Sequence, residues 1–178
     1  MTSLSVSACE VLTLAHSLSL SCAFSGIGFD PRTGHLVVSD RENHRIEFFS
    51  IDETGTKFEY NSTHTPQYGL AGTQRPCNFR VLENSTNASI NGMAVIADLG
   101  ANDQPEGKAG IARGQVAVLD KNDKMVSVIQ IDALLGEEGS VHPHDSHFLP
   151  NGDIVVATWK PGHITYWKRL PANAGEKQ

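Results

Sequence analysis

A threefold repeat constrains the fold of this 178-residue chain more than any other feature. Each copy begins with Gly, continues as an apolar run and ends six residues later at Asp or Thr. The copies are Gly34–Asp40, Gly92–Asp98 and Gly152–Thr158, and the β-rich runs that follow them are Arg45–Phe48, Gln115–Leu119 and His163–Trp167. Short β-branched and apolar runs separated by Gly, Asn, Asp and Pro are typical of all-β proteins. The chain is therefore predicted to be all-β.

The spacing of the repeat indicates a β-propeller. The copies start 58 and then 60 residues apart. Repeats of roughly 40–50 residues with about four strands each are typical of propeller blades, and the extra length here lies in loops. Three blades are too few for a closed ring of roughly four to eight, and open sheet edges invite aggregation. We expect a partial or open propeller, either a fragment of a longer protein that supplies the missing blades or a chain that self-associates.

Length and charge set further limits. We expect an N-terminal segment of uncertain structure over residues 1–24, the propeller over residues 25–171 and a tail over residues 172–178. The formal net charge of -6 argues against a nucleic-acid partner, which would normally require a basic surface. No run of about 18 apolar residues occurs, so no membrane span is predicted.

The sequence also bears on localisation. Three glycosylation sequons begin at Asn61, Asn84 and Asn87, and they favour a glycoprotein of the secretory pathway or extracellular space. The N-terminus fits a signal peptide poorly because the first basic residue is Arg32. The odd number of cysteines leaves both a disulfide and free thiols open. The cysteines are Cys9, Cys22 and Cys77.

Two motifs resemble known families. The segment Gly26–Phe49 resembles an NHL repeat, with its Gly-Ile start, Val-x-Asp strand end and Asn-x-Arg-Ile continuation. Ser39–Ile46, together with His142–Asp145 and the following Leu149–Ile154, resembles the peptidyl-α-hydroxyglycine α-amidating lyase family. This resemblance implies a six-bladed NHL-type propeller, of which these three blades are the C-terminal half. It also implies a lyase that converts a peptide with a C-terminal hydroxyglycine into a peptide amide and glyoxylate, inactive as this piece alone.

The resemblance implies site residues and cofactors as well. His144 matches a zinc ligand, Asp145 matches a calcium ligand, and Arg41 matches an arginine that lines the catalytic site. The family's second zinc histidine falls directly on Ser25, which cannot bind zinc. His16 would take that place if residues 21–29 were an insertion.

The family's disulfide across the Asp-Arg-Glu-Asn hairpin is missing from this sequence. Val37 and Phe48 occupy the positions of its two cysteines. Since both cysteines are absent together, we expect an apolar pair there.

The residues themselves leave alternatives open. His142 and His144 are two apart, so on a strand they point to one face, and a third zinc ligand must come from another blade. The alternative is that His144 and Asp145 form a hydrogen-bonded pair at the entry to a blade. His142 is expected to be a solvent-facing neighbour. Arg41 either clamps a substrate carboxylate or lies solvated in a surface turn.

Two groups of residues are assigned structural roles. Asp40, Asn43 and Arg45 are expected to tie their hairpin together. An aromatic group near the C-terminus is expected to pack between blades rather than to line a ligand surface. Its members are Trp159, Tyr166 and Trp167.

A noncatalytic alternative is also open. In it the chain is part of an NHL-repeat propeller that binds a protein or a small ligand on a loop face. A third metal ligand close to His144 would favour the lyase, and its absence would favour the binding module.

Overall fold

The computed structural model describes residues 24–64, 75–100, 114–131, 141–160 and 162–170. These residues form eleven strands, two 3-10 helices and no α-helix. The strands are β1 (Phe24–Asp30), β2 (His35–Asp40), β3 (Arg45–Ile51), β4 (Phe58–His64), β5 (Pro76–Val81), β6 (Ala94–Asp98), β7 (Gln115–Leu119), β8 (Met125–Gln130), β9 (His142–Phe148), β10 (Ile154–Lys160) and β11 (Ile164–Trp167). The 3-10 helices are Arg41–Asn43 and Ala88–Ile90. No helix among these residues is long and apolar enough to cross a membrane.

The strands form three antiparallel sheets that follow one another along the chain. Strands β1 to β4 form the first blade, β5 to β8 the second, and β9 to β11 the third. Within each blade, every strand pairs with the strand that precedes or follows it in sequence. This up-and-down order is the blade arrangement that the repeat predicts.

The glycine that opens each copy of the repeat is required by the backbone. Gly34, Gly92 and Gly152 have φ angles of +76°, +82° and +87°, a region in which a side chain is rarely tolerated. Each lies in the turn that leads into the second strand of its blade. The Gly34 amide closes its turn by donating to the Asp30 carbonyl at 2.8 Å. The glycine of the repeat therefore marks a turn with a positive φ angle, which recurs once per blade.

Two apolar cores hold the blades together. The core between the first and second blades consists of Val37, Ile46, Phe48, Phe79, Val81, Ala94, Ile96, Ala117 and Leu119. The core between the second and third consists of Leu82, Ile90, Val95, Val116, Val118, Ile131, Val141, Phe148, Ile154 and Val156. Full burial of a large apolar side chain contributes about 1.5–3 kcal/mol. Because one core lies on each side of it, the second blade is covered on both of its faces.

The first strands of the blades converge at the inside of the array. Strand β1 lies against β5, and β5 lies against β9. Gly26 permits the first approach, since a Cβ at that position would lie 2.1 Å from the Cys77 carbonyl oxygen. Gly114, just before β7, permits a similar approach to the third blade, since a Cβ there would lie 2.0 Å from the Val141 carbonyl oxygen. Sheets in chain order that meet along their first strands form a partial β-propeller.

The first hairpin confirms one expectation. Val37 lies directly opposite Phe48 across strands β2 and β3, and both side chains are buried in the first core. Apolar packing therefore stands where the resembling family has a disulfide. Residues 1–23 and 171–178 lie outside the described residues, so the predicted domain boundaries stay predictions.

Candidate functional site

The ends of the second strands define one face of the blades, which we call the site face. Asp40 pairs with Phe24 across the first blade, and Asp98 pairs with Pro76 across the second. Thr158 pairs with Pro143 in the third. The repeat thus ends at the same place in each blade, and the starts of the inner strands lie beside it.

In the first blade this position organises the hairpin. The Asp40 carboxylate is fully buried and accepts hydrogen bonds from Asn43 Nδ2 at 2.9 and 3.0 Å. Arg45 Nε donates to Asp40 Oδ2 at 2.8 Å. These bonds agree with the architectural role expected for the three residues.

In the third blade the equivalent residue is Thr158, an uncharged side chain that also bonds to the turn after its strand. The Thr158 hydroxyl accepts from the His163 amide and donates to the His163 carbonyl, both at 3.1 Å. The side chain that ends the repeat therefore closes the turn that follows it.

Asp98, in the second blade, differs from both. Its Oδ1 accepts from the Gly100 amide at 2.9 Å, whereas the buried Oδ2 has no hydrogen-bond partner among the described residues. Gln115 lies opposite Asp98, where Arg45 lies opposite Asp40 in the first blade. Burial raises the pKa of Asp98 to about 7, against the smaller opposing effect of hydrogen bonds from the backbone of Gly100 and Arg75. Asp98 is therefore a buried carboxyl that can exchange a proton near neutral pH.

Cys77 lies next to this carboxyl. Its side chain is completely buried, and the burial raises the pKa of the thiol to about 11. Ser25, the position on which the resembling family's second histidine falls, donates from its hydroxyl to the Pro76 carbonyl at 3.2 Å. At neutral pH Cys77 is a thiol, which is a poor nucleophile.

Two arginines of the site face share one carboxylate. Arg41 Nε lies 2.8 Å from Glu42 Oε1, and a guanidinium nitrogen of Arg75 lies 3.5 Å from Glu42 Oε2. Their side chains are 27% and 16% exposed, and that of Glu42 is 30% exposed. Arg41 is thus not a fully solvated turn residue, because it is held in an ion pair with Glu42. Its predicted catalytic role stays a prediction.

The residues of the His-Pro-His-Asp motif lie on β9. Asp145 accepts a short hydrogen bond from Asn78 Nδ2 of the second blade, and Arg80 Nε lies 4.0 Å from it. His144 beside it is half-buried. The contacts of Asp145 therefore join the inner strands of two blades.

His142 corrects the expectation of a solvent-facing neighbour. Its side chain is only 6% exposed, and its Nδ1 lies 3.1 Å from the Leu99 carbonyl oxygen. The start of β9 packs against the end of β6 in the second blade, so this imidazole is a structural link between blades.

The predicted metal ligands do not make a complete site within the described part of the chain. No group of three His, Cys, Asp or Glu side chains there could hold a metal ion. His16 lies outside the described residues. The two residues that remain, His144 and Asp145, do not by themselves fit zinc, which takes three or four ligands from the protein. Zinc and calcium therefore stay predictions.

The aromatic group is only partly as expected. Trp167 packs against the second core. Trp159 and Tyr166 are 67% and 52% exposed, so the expectation of inter-blade packing is wrong for them in this structure. They lie on the face of the third blade that points away from the second.

Asp98, Glu42 and Arg75 are not among the site residues predicted from the sequence. One signal was present for Asp98: the repeat places Gln115, which is uncharged, where the first blade has Arg45. The ion pair of Arg75 with Glu42 joins two different blades, so no local sequence pattern predicts it.

Comparison with solved structures supports the fold. The chain is 14% identical to a candidate 6-phosphogluconolactonase from Bacteroides uniformis, with a TM-score of 0.56 over 85% of this chain and 38% of that one. It is 13% identical to a protein from Lactobacillus plantarum, with a TM-score of 0.53 over 83% of this chain and 41% of that one. The chain thus spans about two fifths of each structure. No protein-family profile and no curated protein matches the sequence.

These comparisons overturn the functional expectation. The first structure carries the name of a lactonase and not that of a peptidylamidoglycolate lyase. The amidating-lyase expectation is therefore wrong, and the noncatalytic binding module gains no support either. The all-β, propeller-like fold is what the similarity establishes, and a glycosylated, secreted protein remains a prediction from the sequons.

Proposed function

We propose that these blades belong to a hydrolase that binds a small anionic sugar lactone at the site face. The support from fold is the similarity to a candidate 6-phosphogluconolactonase. The observation that carries the proposal is the convergence of Arg41 and Arg75 on the Glu42 carboxylate. Two guanidinium groups aimed at one carboxylate form an arrangement suited to the phosphate or carboxylate of a ligand.

Glu42 occupies this arrangement in the structure. Its carboxylate stands where the anionic group of a ligand would be held, and its side chain is accessible enough to turn away. A ligand with one anionic group would then replace one ion pair by another, so the charge of the two arginines stays balanced. Binding is expected to strengthen when Glu42 loses its charge.

The opening of a lactone also requires a general base that takes a proton from the attacking water. Water attacks the carbonyl carbon, a new carbon–oxygen bond forms, the ring ester bond breaks, and the released ring oxygen takes a proton. His144, half-buried on the inner strand β9, is the proposed general base for that water, since imidazole is the side chain most often used for this task. Cys77 is unsuited to act as a nucleophile because it stays protonated.

We also infer that the blades are of NHL type. The support is the sequence pattern of Gly26–Phe49 together with the bonds that it makes. Asp40 accepts hydrogen bonds from both Asn43 and Arg45, so the three polar positions that mark the pattern form one network around a buried carboxylate.

The test is binding and turnover with defined probes. Titration calorimetry with 6-phosphogluconate, the open acid, is expected to give a measurable affinity that falls at least tenfold in Arg41→Ala and rises in Glu42→Gln. Hydrolysis of 6-phosphogluconolactone above the uncatalysed rate is expected from the wild-type chain, and His144→Asn is expected to lower this rate with binding unchanged.

Lys121→Ala is the charge-matched control, because Lys121 is exposed in the turn at the opposite end of the second blade. Its affinity should equal that of the wild type. Equal loss of affinity in Lys121→Ala and Arg41→Ala would show that only net charge matters. Absence of both binding and turnover would refute the proposal.

A further inference from the structure

The exposed apolar side chains of the described residues concentrate on the two outer faces of the array. On the first blade they are Ile27 and Phe29 of β1, 63% and 54% exposed, and Tyr60 of β4. On the third blade they are Trp159, Ile164 and Tyr166, of which Ile164 is 82% exposed. Apolar surface of this extent on a folded domain is typical of an interaction site.

The outer face of the third blade is equivalent to a face that is already buried. The repeat places Gly152 where the first blade has Gly34, so Val155, Ile164 and Tyr166 correspond to Val37, Ile46 and Phe48. Those three residues of the first blade form its side of the core with the second blade. The third blade therefore presents the same surface with nothing from the described residues packed on it.

The outer face of the first blade is equivalent to the other half of that core. Ile27 pairs with Val38 as Phe79 pairs with Ile96, and Phe29 pairs with Leu36 as Val81 pairs with Ala94. All four residues of the second blade belong to the first core. The two outer faces thus repeat most of the two halves of one interface that the molecule already forms, and the first blade differs in carrying Glu47 where the second has the core residue Ala117.

We propose that a second copy of this chain closes the propeller, with the outer face of each first blade seated on the outer face of the other copy's third blade. Two copies supply six blades, within the range of roughly four to eight for closed rings. The contact is head-to-tail, and a two-fold axis along the channel makes both contacts at once, so the assembly stops at two copies. Each copy spans about two fifths of the solved structures that it resembles, so two copies approach the length of one.

The first experiment measures the mass of the purified 178-residue chain in solution by light scattering. The expected result is twice the 19.2 kDa of one chain. Ile164→Glu is expected to be monomeric, and it should fold because the side chain is exposed. Val126→Glu, at a 53% exposed position on β8 away from both faces, should remain a dimer.

A monomeric wild-type chain at about 100 µM would overturn the proposal and indicate that blades of another polypeptide cover the faces. A mass of three or more copies would overturn the closed ring.

The second experiment tests which faces meet. Phe79 and Phe48 have ring centroids 5.7 Å apart in the first core, and their equivalents on the outer faces are Ile27 and Tyr166. A short bismaleimide should therefore join Ile27→Cys of one copy to Tyr166→Cys of the other, in a background in which Cys9 and Cys22 are serine. Val126→Cys with Tyr166→Cys should give no product. A dimer in which the first pair also gives none would contradict the head-to-tail contact.

Discussion

Gln115 lies directly opposite Asp98 in the second blade, at the position where Arg45 lies opposite Asp40 in the first. Both aspartates are fully buried. Asp40 receives the guanidinium of Arg45, whereas one oxygen of Asp98 has no partner among the described residues. The two blades thus differ in one residue of the repeat, Arg45 or Gln115. Asp40 has an ion-pair partner there, whereas Asp98 does not and has a pKa raised to about 7 by its burial.

Asp98→Asn is expected to stabilise the protein at alkaline pH. The pKa of Asp98 is raised from 3.8 to about 7 in the folded chain, so folded Asp98 holds its proton more tightly than unfolded Asp98. Stability is therefore lost as pH rises from about 4 through 7, by on the order of 4 kcal/mol once the group is fully ionised. The variant lacks this loss and should unfold at higher denaturant concentration than the wild type at pH 8, with a smaller difference at pH 5.

Asp40→Asn is the matched control for that measurement. The buried Asp40 carboxylate is compensated by Arg45, whose side chain is 24% exposed, so the substitution removes a favourable ion pair. This variant is expected to be less stable than the wild type at pH 8. If both asparagine variants lost stability there, the account of Asp98 would be wrong.

Arg32 is expected to be the strongest polar link between the first two blades. Its guanidinium group donates two hydrogen bonds to the buried Asp30 carboxylate, at 2.8 and 2.9 Å. The same group lies 2.9 Å from Asp123 of the second blade and donates to the Gly92 carbonyl at 3.1 Å. Arg32→Met keeps an unbranched stem near Phe79 but leaves the Asp30 carboxylate unpaired. The expected cost is on the order of 3 kcal/mol, measured by denaturant unfolding at pH 7.

The pH dependence of the unfolding free energy tests whether the loss of stability in Arg32→Met comes from the Asp30 carboxylate. Burial alone would raise the pKa of Asp30, and the hydrogen bonds and charge of Arg32 more than reverse this, so the pKa is lowered. The contribution of the pair is present above the unfolded pKa of about 3.9 and is lost as pH falls through the lower folded value. The difference between wild type and Arg32→Met should therefore shrink below pH 4. Asp123→Asn, which removes only the partner in the second blade, should cost less.

Gly26→Ala is expected to separate the inner strands of the first two blades. The added methyl would lie 2.1 Å from the Cys77 carbonyl oxygen, which is backbone and cannot turn aside. Destabilisation of roughly 3 kcal/mol, at the upper end for overpacking, is expected in thermal or denaturant unfolding. Gly162→Ala is the control, because no atom lies within 4 Å of its Cβ position. Equal effects of the two substitutions would argue against the close packing of β1 on β5.

Much of the fold can be predicted from the sequence because its signals are local. Gly34, Gly92 and Gly152 mark turns with positive φ, and the apolar runs after them mark the second strands. The pairing of Val37 with Phe48 follows from the length of one hairpin. These features depend on residues close together in the chain, which is where patterns of spacing are informative.

The environment of the site residues could not be predicted in the same way. His142 is buried because Leu99, 43 residues away, presents its carbonyl oxygen to the imidazole. Trp159 and Tyr166 have the sequence character of core residues, and they are exposed because no described blade lies beyond the third. Glu42 and Arg75 meet across two blades. Each outcome depends on how the blades pack, which the repeat does not encode.

The proposed anion site can be observed at the arginines themselves. In ¹⁵N-resolved spectra of the side-chain Nε–H groups, titration with 6-phosphogluconate should shift the signals of Arg41 and Arg75 together, with one saturation curve. The signal of Arg169, which follows β11 in the third blade, should stay in place. Unchanged Arg41 and Arg75 signals at saturating ligand, or a shift confined to Arg169, would contradict an anion site between the two arginines.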